Sequence, residues 1–331
     1  MNRAYKKKYF VGIEECINPV FPIPPYKGKY FIISFKNLRK RKKEPFGLLC
    51  NIQGEPSKHM VINTNSKENA QEASDFANAC LIVRDAYYLG ADPLEVKEID
   101  ENFKVLPKDR LSSRGNNGFQ IASFMAAKAS FRNKYIYAIH KLSYSFFTIS
   151  VPFIDLDPYH SEIFKKPTIH KNYLVEKTVA MATAIFLAYS AIEELGFKIN
   201  YEARNNSKKW RKERNKLLRN LTEAGVNIKE EFLWDLRGPK TFLERNLPKR
   251  NFKKAEWARF DVRDEKIDIT DAIANASFLR SKVCAHEFSR KDNIKMIKTL
   301  SIYDVTNTQH LARRLILESL KIWRIEKKLF K

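Results

Sequence analysis

The feature that most limits the fold is a change of hydrophobic period partway along the 331 residues. The first part carries short runs of β-formers, Tyr30–Phe35, Phe46–Ile52 and Met60–Thr64, separated by turn-like breaks. Beyond Pro152, Pro158 and Pro167, apolar residues recur at i+3 and i+4 over long stretches. A period of two and a period of 3.6 describe different elements. The expectation is therefore an α+β N-terminal domain over 1–165, followed by an all-α helical bundle over 166–331. Two domains suit a chain of this length.

Within the first part, residues 66–90 read as a helix with Ser66 as N-cap and Gly90 as C-cap. Residues 119–147 read as one long helix. The basic run Arg39–Lys43 reads as a hairpin tip, and 112–118 as a glycine-containing connector. In the second part, Asn172–Ile199 is expected as a helix whose inward stripe is Leu174, Thr178, Ala182, Ile185, Tyr189, Ile192 and Gly196. Further helices are expected at Ser207–Ala224, with Gly225 as the stop, at Asp271–Phe288 with Thr270 or Asp271 as cap, and at Thr306–Phe330. A short helical piece is expected at Lys229–Leu236, and irregular chain over 237–268.

Charge narrows the function classes. The chain carries 61 Lys and Arg against 38 Asp and Glu, a net charge of +23. A surplus of that size favours a polyanionic partner. It is uneven: 25 bases face 17 acids in residues 1–165, and 36 face 21 in residues 166–331. The densest run, Arg204–Arg219, holds eight bases, Glu213 as its one acid, and Trp210 in the middle. Lys208, Lys209, Arg211, Lys212 and Arg214 are the candidate phosphate contacts there, and a second basic run lies at Lys240–Lys254. Trp210 either stacks on a base or anchors its helix to the core.

Other classes are excluded by what the sequence lacks. Cys16, Cys50, Cys80 and Cys284 form no CxxC pair, so neither a disulfide framework nor a cysteine metal site is expected, and a cytoplasmic setting fits. The N-terminus carries bases but no apolar signal core. The longest greasy stretch, Val179–Tyr189, is well short of the roughly 20 residues that span a bilayer. No phosphate loop, nucleophile elbow or His-Glu-x-x-His motif is present. Asp155, Asp157 and His160 cluster without the spacing of a metal site.

One stretch carries chemistry: Phe278-Leu-Arg280-Ser-Lys-Val-Cys-Ala-His286-Glu-Phe288. An arginine, five intervening residues and a histidine on a bundle helix resemble the signature of the HEPN superfamily, the higher eukaryotes and prokaryotes nucleotide-binding proteins. Ser190-Ala-Ile-Glu-Glu-Leu-Gly196, closing the long preceding helix, resembles the first helix of such domains, and a long final helix follows the motif. The resemblance covers roughly residues 170–331. It implies a helical bundle, a homodimer, RNA as substrate, no cofactor or metal, and a setting in toxin or antiviral defence systems. Arg280 and His286 would be the catalytic pair, with Glu193 or Glu194 facing Arg280. Ser281 stands where members often carry Asn, Asp or His.

The chemistry of these residue types suits RNA, which brings its own 2′-hydroxyl nucleophile. Histidine titrates near pH 6.5 and can move either proton. Arginine stays charged and grips phosphate oxygens in a fork. Six residues at about 100° each place Arg280 and His286 240° apart on a regular helix, and one pair supplies only one imidazole. Two protomers placed face to face would relieve both difficulties. Lys282, His286 and Arg290, at i, i+4 and i+8, would line that cleft. The bland alternative is a core histidine at 286 and a structural Arg280–glutamate bridge. The functional alternatives are a catalytically inactive nucleic-acid-binding or assembly module, and a DNA-associated subunit. The first 165 residues are expected to sense, recruit or regulate through a protein or nucleic-acid partner.

Overall fold

A computed structural model describes residues 5–15, 17, 21–38, 58–86, 95–101, 103, 111–112, 118–153, 171–235, 264–284, 300 and 302–327. The chain falls into two compact units. One gathers 1–85, 89–140 and 325–331, and the other 86–88 and 141–324.

The first unit is built on a sheet of β1 (Lys7–Glu15), β2 (Tyr26–Lys27), β3 (Ile32–Lys36), β4 (Lys58–Thr64), β5 (Val96–Glu98) and β6 (Leu111–Ser112). The strand order is β2-β3-β4-β1-β5, with β6 also pairing β1. All pairings are antiparallel except the short parallel one between β1 and β6. β1 and β4 are interior strands, and Tyr9, Phe10, Val11, Met60, Val61 and Ile62 are buried along them. Residues buried in succession, rather than alternately, are what a strand covered on both faces requires. Helices α1 (Lys67–Asp85) and α2 (Gly118–Ala129) pack on each other, α1 also touching β4 and β5 and α2 touching β2 and β3.

Ser66 caps α1 as expected, accepting from Asn69 N at 3.2 Å. The helix stops at Asp85, with Ala86 at φ +56°, before the expected Gly90. The single helix expected over 119–147 is two, α2 and α3 (Asn133–Phe153). The break falls at Ser130, whose hydroxyl donates back to Ala127 O at 2.7 Å and accepts from Lys29 N at 2.9 Å. A hydroxyl serving the backbone competes with helix continuation, and the Lys29 partner is 101 residues away. Helix α3 contributes Tyr135, Ala138 and Ile139 to the first core and Leu142, Ser145 and Phe146 to the second. The units therefore divide at His140, upstream of the 165/166 boundary expected from the prolines.

The second unit is mostly helical: α4 (Lys171–Glu194), a 3₁₀ turn (Tyr201–Asn205), α5 (Ser207–Glu223), α6 (Ile269–Phe278), a π-helical segment (Leu279–Cys284), α7 (Ile302–Ser319) and α8 (Trp323–Lys327), which crosses the boundary at Arg324. It is not all-α. β7 (Phe232–Asp235) pairs antiparallel with β8 (Asp264–Ile267), where a helical piece and irregular chain were expected. Alternate burial explains the strand: Phe232 and Trp234 point inward and Leu233 outward. Helix α4 packs against α7, α6 and the π segment. Among its described side chains, Ala184, Ile185, Ala188, Tyr189, Ala191 and Ile192 are buried and Ala182 is half-buried; those of Leu174 and Thr178 lie outside the described residues. Gly196 is not part of that stripe but ends the helix.

The long final helix is interrupted. α7 closes at Lys321, at φ +60°, with Lys321 N donating to Glu318 O and Ile322 N to Leu317 O, both at 2.8 Å. Arg39–Lys43, Phe46–Ile52, Gly90, the prolines at 158 and 167, Lys240–Lys254, His286 and Arg290 lie outside the described residues.

Candidate nucleic-acid site

Helix α4 ends in a glycine-closed cap. Gly196, at φ +89°, donates to Glu193 O at 2.9 Å, and Phe197 N donates to Ile192 O at 3.2 Å. Only glycine takes this conformation without strain. The stop puts Glu193 and Glu194 in the last turn, on headings about 100° apart. The two carboxylates consequently serve different cations.

Glu193 faces Arg280. Arg280 Nη2 donates to Glu193 Oε2 at 3.5 Å, and both side chains are about one third exposed, 31% and 30%. The Arg280 guanidinium also lies 5.5 Å from the ring centroid of Phe186, two helical turns before Glu193. Its Nε is buried and has no hydrogen-bond partner among the described residues. Below it, Tyr189 is buried, and that burial raises its phenol from the ordinary value. The Glu193 carboxylate adds to the rise, while Ser277, the Ile199 backbone and Arg280 oppose it.

Glu194 faces Lys141 of α3, with which it forms an ion pair. Lys141 Nζ also donates to Ser190 Oγ at 3.0 Å. Of the two glutamates proposed beside Arg280, the second is thus bound elsewhere. Lys141 was missed by sequence reasoning because it lies 53 residues from Glu194 with no local motif. Phe186 and Tyr189 were more accessible, since they precede Glu193 at helical spacing.

Arg280 sits in the π segment, whose i→i+5 closure is uncommon and recurs at functional sites. The regular helix from which the 240° separation of Arg280 and His286 was reckoned is therefore absent over Leu279–Cys284. Ser281 is half-buried in the same segment, and Lys282 belongs to it by backbone.

The basic run is helix α5. Asn206 caps it, its side chain accepting from Lys208 N and Lys209 N. Lys208, Lys209, Arg211, Lys212, Lys216 and Arg219 are exposed, while only Leu217 and Leu221 are buried. Arg214 departs from this face. It donates from Nε to Thr270 Oγ1 at 2.9 Å and lies 3.3 Å from Asp268, the N-cap of α6. It holds two helices together. Trp210 is half-buried.

Among the described residues there is no group of three or more His, Cys, Asp and Glu placed to hold a metal ion. Among them, too, no helix is long and apolar enough to cross a membrane. Comparisons with protein-family models, with curated proteins and with solved structures return no match.

Proposed function

We propose that this chain is a metal-independent endoribonuclease of the HEPN type, acting as a homodimer. The observation that carries the proposal is Arg280: a guanidinium about one third exposed, braced by Glu193 and Phe186 at the end of a bundle helix. A buried structural arginine spends all its donors on the fold, whereas this one makes a single, long hydrogen bond among the described residues.

In the proposed reaction the ribose 2′-oxygen attacks the adjacent phosphorus. A P–O2′ bond forms, the P–O5′ bond breaks, and the products are a 2′,3′-cyclic phosphate and a 5′-hydroxyl. His286 takes the 2′-proton or returns one to the leaving 5′-oxygen, and the partner protomer's histidine does the other. Arg280 neutralises the charge that develops on the phosphorane oxygens, a contribution of about 10²–10³ in rate for one such donor. The exposed bases of α5 hold the RNA backbone, and Glu193 orients Arg280. The biological setting inferred from the resemblance is a toxin or antiviral effector.

The test is cleavage of single-stranded RNA in EDTA by the wild type beside His286→Ala and Arg280→Ala. Cutting that disappears in both folded variants supports the enzyme. Cutting retained by either overturns it. A second reading, a catalytically inactive RNA-binding module, is favoured by α5 alone, whose six exposed bases need no histidine. Salt-sensitive retention of RNA without any cutting selects that reading.

A further inference from the structure

The outer stripe of α4 is flanked by two cations. Val179, Phe186, Ser190 and Glu193 follow one another at i+3, i+4 or i+7 and share one face. Val179 and Phe186 are large apolar residues left exposed on it, Phe186 at 43%. Arg280 lies along one side of this stripe, over Phe186 and Glu193. Along the other runs the second half of α3. Its Lys141 meets Ser190 and Glu194, and its Ser145 donates to Ala184 O at 2.7 Å. Advancing along α3 thus means retreating along α4, so the two helices are antiparallel there. Tyr144, one turn beyond Lys141, is consequently level with Phe186, one turn before Ser190. Tyr144 is 61% exposed.

Two cations at the borders of a strip with an exposed aromatic floor and an exposed aromatic wall describe a site for a chain that alternates negative charge with flat apolar rings. Each cation is held in place by one of two consecutive carboxylates and keeps N–H donors over for an incoming phosphate. The chain's net charge of +23 favours a polyanion as the occupant of this strip. A duplex keeps its rings stacked inside, while a single strand offers them to aromatic side chains.

We propose that Lys141 is a second phosphate-holding cation beside Arg280, and that Phe186 and Tyr144 stack unpaired bases of single-stranded RNA laid along the outer stripe of α4. This rests on the ribonuclease reading above and names its substrate form and two further binding groups.

The test uses fluorescence anisotropy on full-length protein, with a short 5′-labelled 2′-O-methyl RNA that lacks the nucleophile, single-stranded or annealed to its complement. The wild type is expected to prefer the single strand. Tyr144→Ala and Phe186→Ala should each weaken single-strand binding by about 5- to 150-fold, the range for one lost stack, with duplex binding unchanged. Lys141→Gln should lower the slope of log K against log salt by about 0.7. Wild-type affinity in the Tyr144 and Phe186 variants overturns the proposal, as does equal wild-type affinity for the two RNA forms or no binding at all. So does sedimentation showing that both variants dissociate a dimer and lose duplex and single strand alike, which would assign the strip to a second copy. Cleavage by the wild type that depends on Arg280 and His286 stands or falls separately, because it is read on ordinary RNA.

Discussion

Two arginines of the second unit are each paired with a glutamate, and the fold uses them differently. Arg314 and Glu318 lie one turn apart on α7, with side chains 4% exposed and Nε to Oε1 at 2.9 Å. Arg314 further donates to Glu231 O at 2.9 Å, Glu230 O at 2.8 Å and Asn227 O at 3.2 Å. Glu318 accepts from Asn227 N at 2.6 Å. The pair is a buried clasp on the loop that leads into β7. Replacing Arg314 by Ala would strand a buried carboxylate and three carbonyls, at a cost of about 3–5 kcal/mol. Arg280 and Glu193, a third exposed and 3.5 Å apart, form a pair of the kind worth about 1 kcal/mol or less. Losing the stack on Phe186 adds about 0.5–1 kcal/mol. Urea unfolding of Arg280→Ala and Arg314→Ala, read by far-UV circular dichroism, should separate the two by about 1 kcal/mol or more, with Arg280→Ala losing about 2 kcal/mol or less. If Arg280→Ala proves as damaging as Arg314→Ala, Arg280 is a structural bracket and the case for it as a phosphate-binding group collapses.

The other expectations concern single positions. Lys321 closes α7 at φ +60°, so Lys321→Gly should raise stability by about 1 kcal/mol, measured as a higher denaturation midpoint. His140 sits 5.3 Å from the Phe76 ring, and burial lowers its pKa, against the opposing charge of Asp75. Above its unfolded pKa, near 6.5, both states are neutral and nothing is lost. As pH falls from there toward the depressed folded value, the unfolded state takes the proton first and stability declines. Unfolding midpoints should thus drop on acidification, and His140→Phe should flatten that drop. On α5, Lys212→Gln and Lys216→Gln should each lower the salt slope of RNA binding by about 0.7. They should also raise stability by about 0.2–0.5 kcal/mol by relieving i,i+4 repulsion. Arg214→Gln should do the reverse, weakening the fold through Asp268 and Thr270 while leaving the slope unchanged; titrations at graded salt beside melting curves read both.

Elements whose signals are local were legible in the sequence. α5 begins at an asparagine that caps it and ends at Gly225, at φ +82°, and α4 stops at Gly196. β3 and β4 follow from β-branched and aromatic runs. Several of the elements that were missed owe their form to distant partners, whereas β1 was missed despite the local β-forming run Tyr9–Val11. Ser130 breaks a helical pattern through Lys29. β7 is four residues long, too short to be told from a helical fragment, and its partner strand begins at Asp264. Lys321 takes a left-handed conformation without glycine, so nothing in its residue type announced the end of α7. At the candidate site the glutamates and Arg280 were singled out through the resemblance to the HEPN signature, which left open which glutamate faces Arg280. Which carboxylate meets Arg280 depends on the 100° between neighbours on α4 and on Lys141 arriving from α3 to take the other.

The π segment alters the argument for the dimer as well as the geometry. Carrying Arg280 forward at 100° per residue assumed an α-helix through 286, yet Leu279–Cys284 closes its hydrogen bonds one residue later, i to i+5. Each such turn takes in more residues, so the angle advanced per residue is smaller and the 240° phase cannot be transferred across the segment. A motif read by helical phase is therefore misread at a π-helical stretch, the kind of distortion that gathers at functional positions. Opposition of the two side chains across one regular helix no longer argues for a second protomer. What still does, for the reaction proposed above, is proton bookkeeping: transfer from the 2′-oxygen and to the 5′-oxygen would call on two groups able to exchange protons, and each motif would contribute one imidazole.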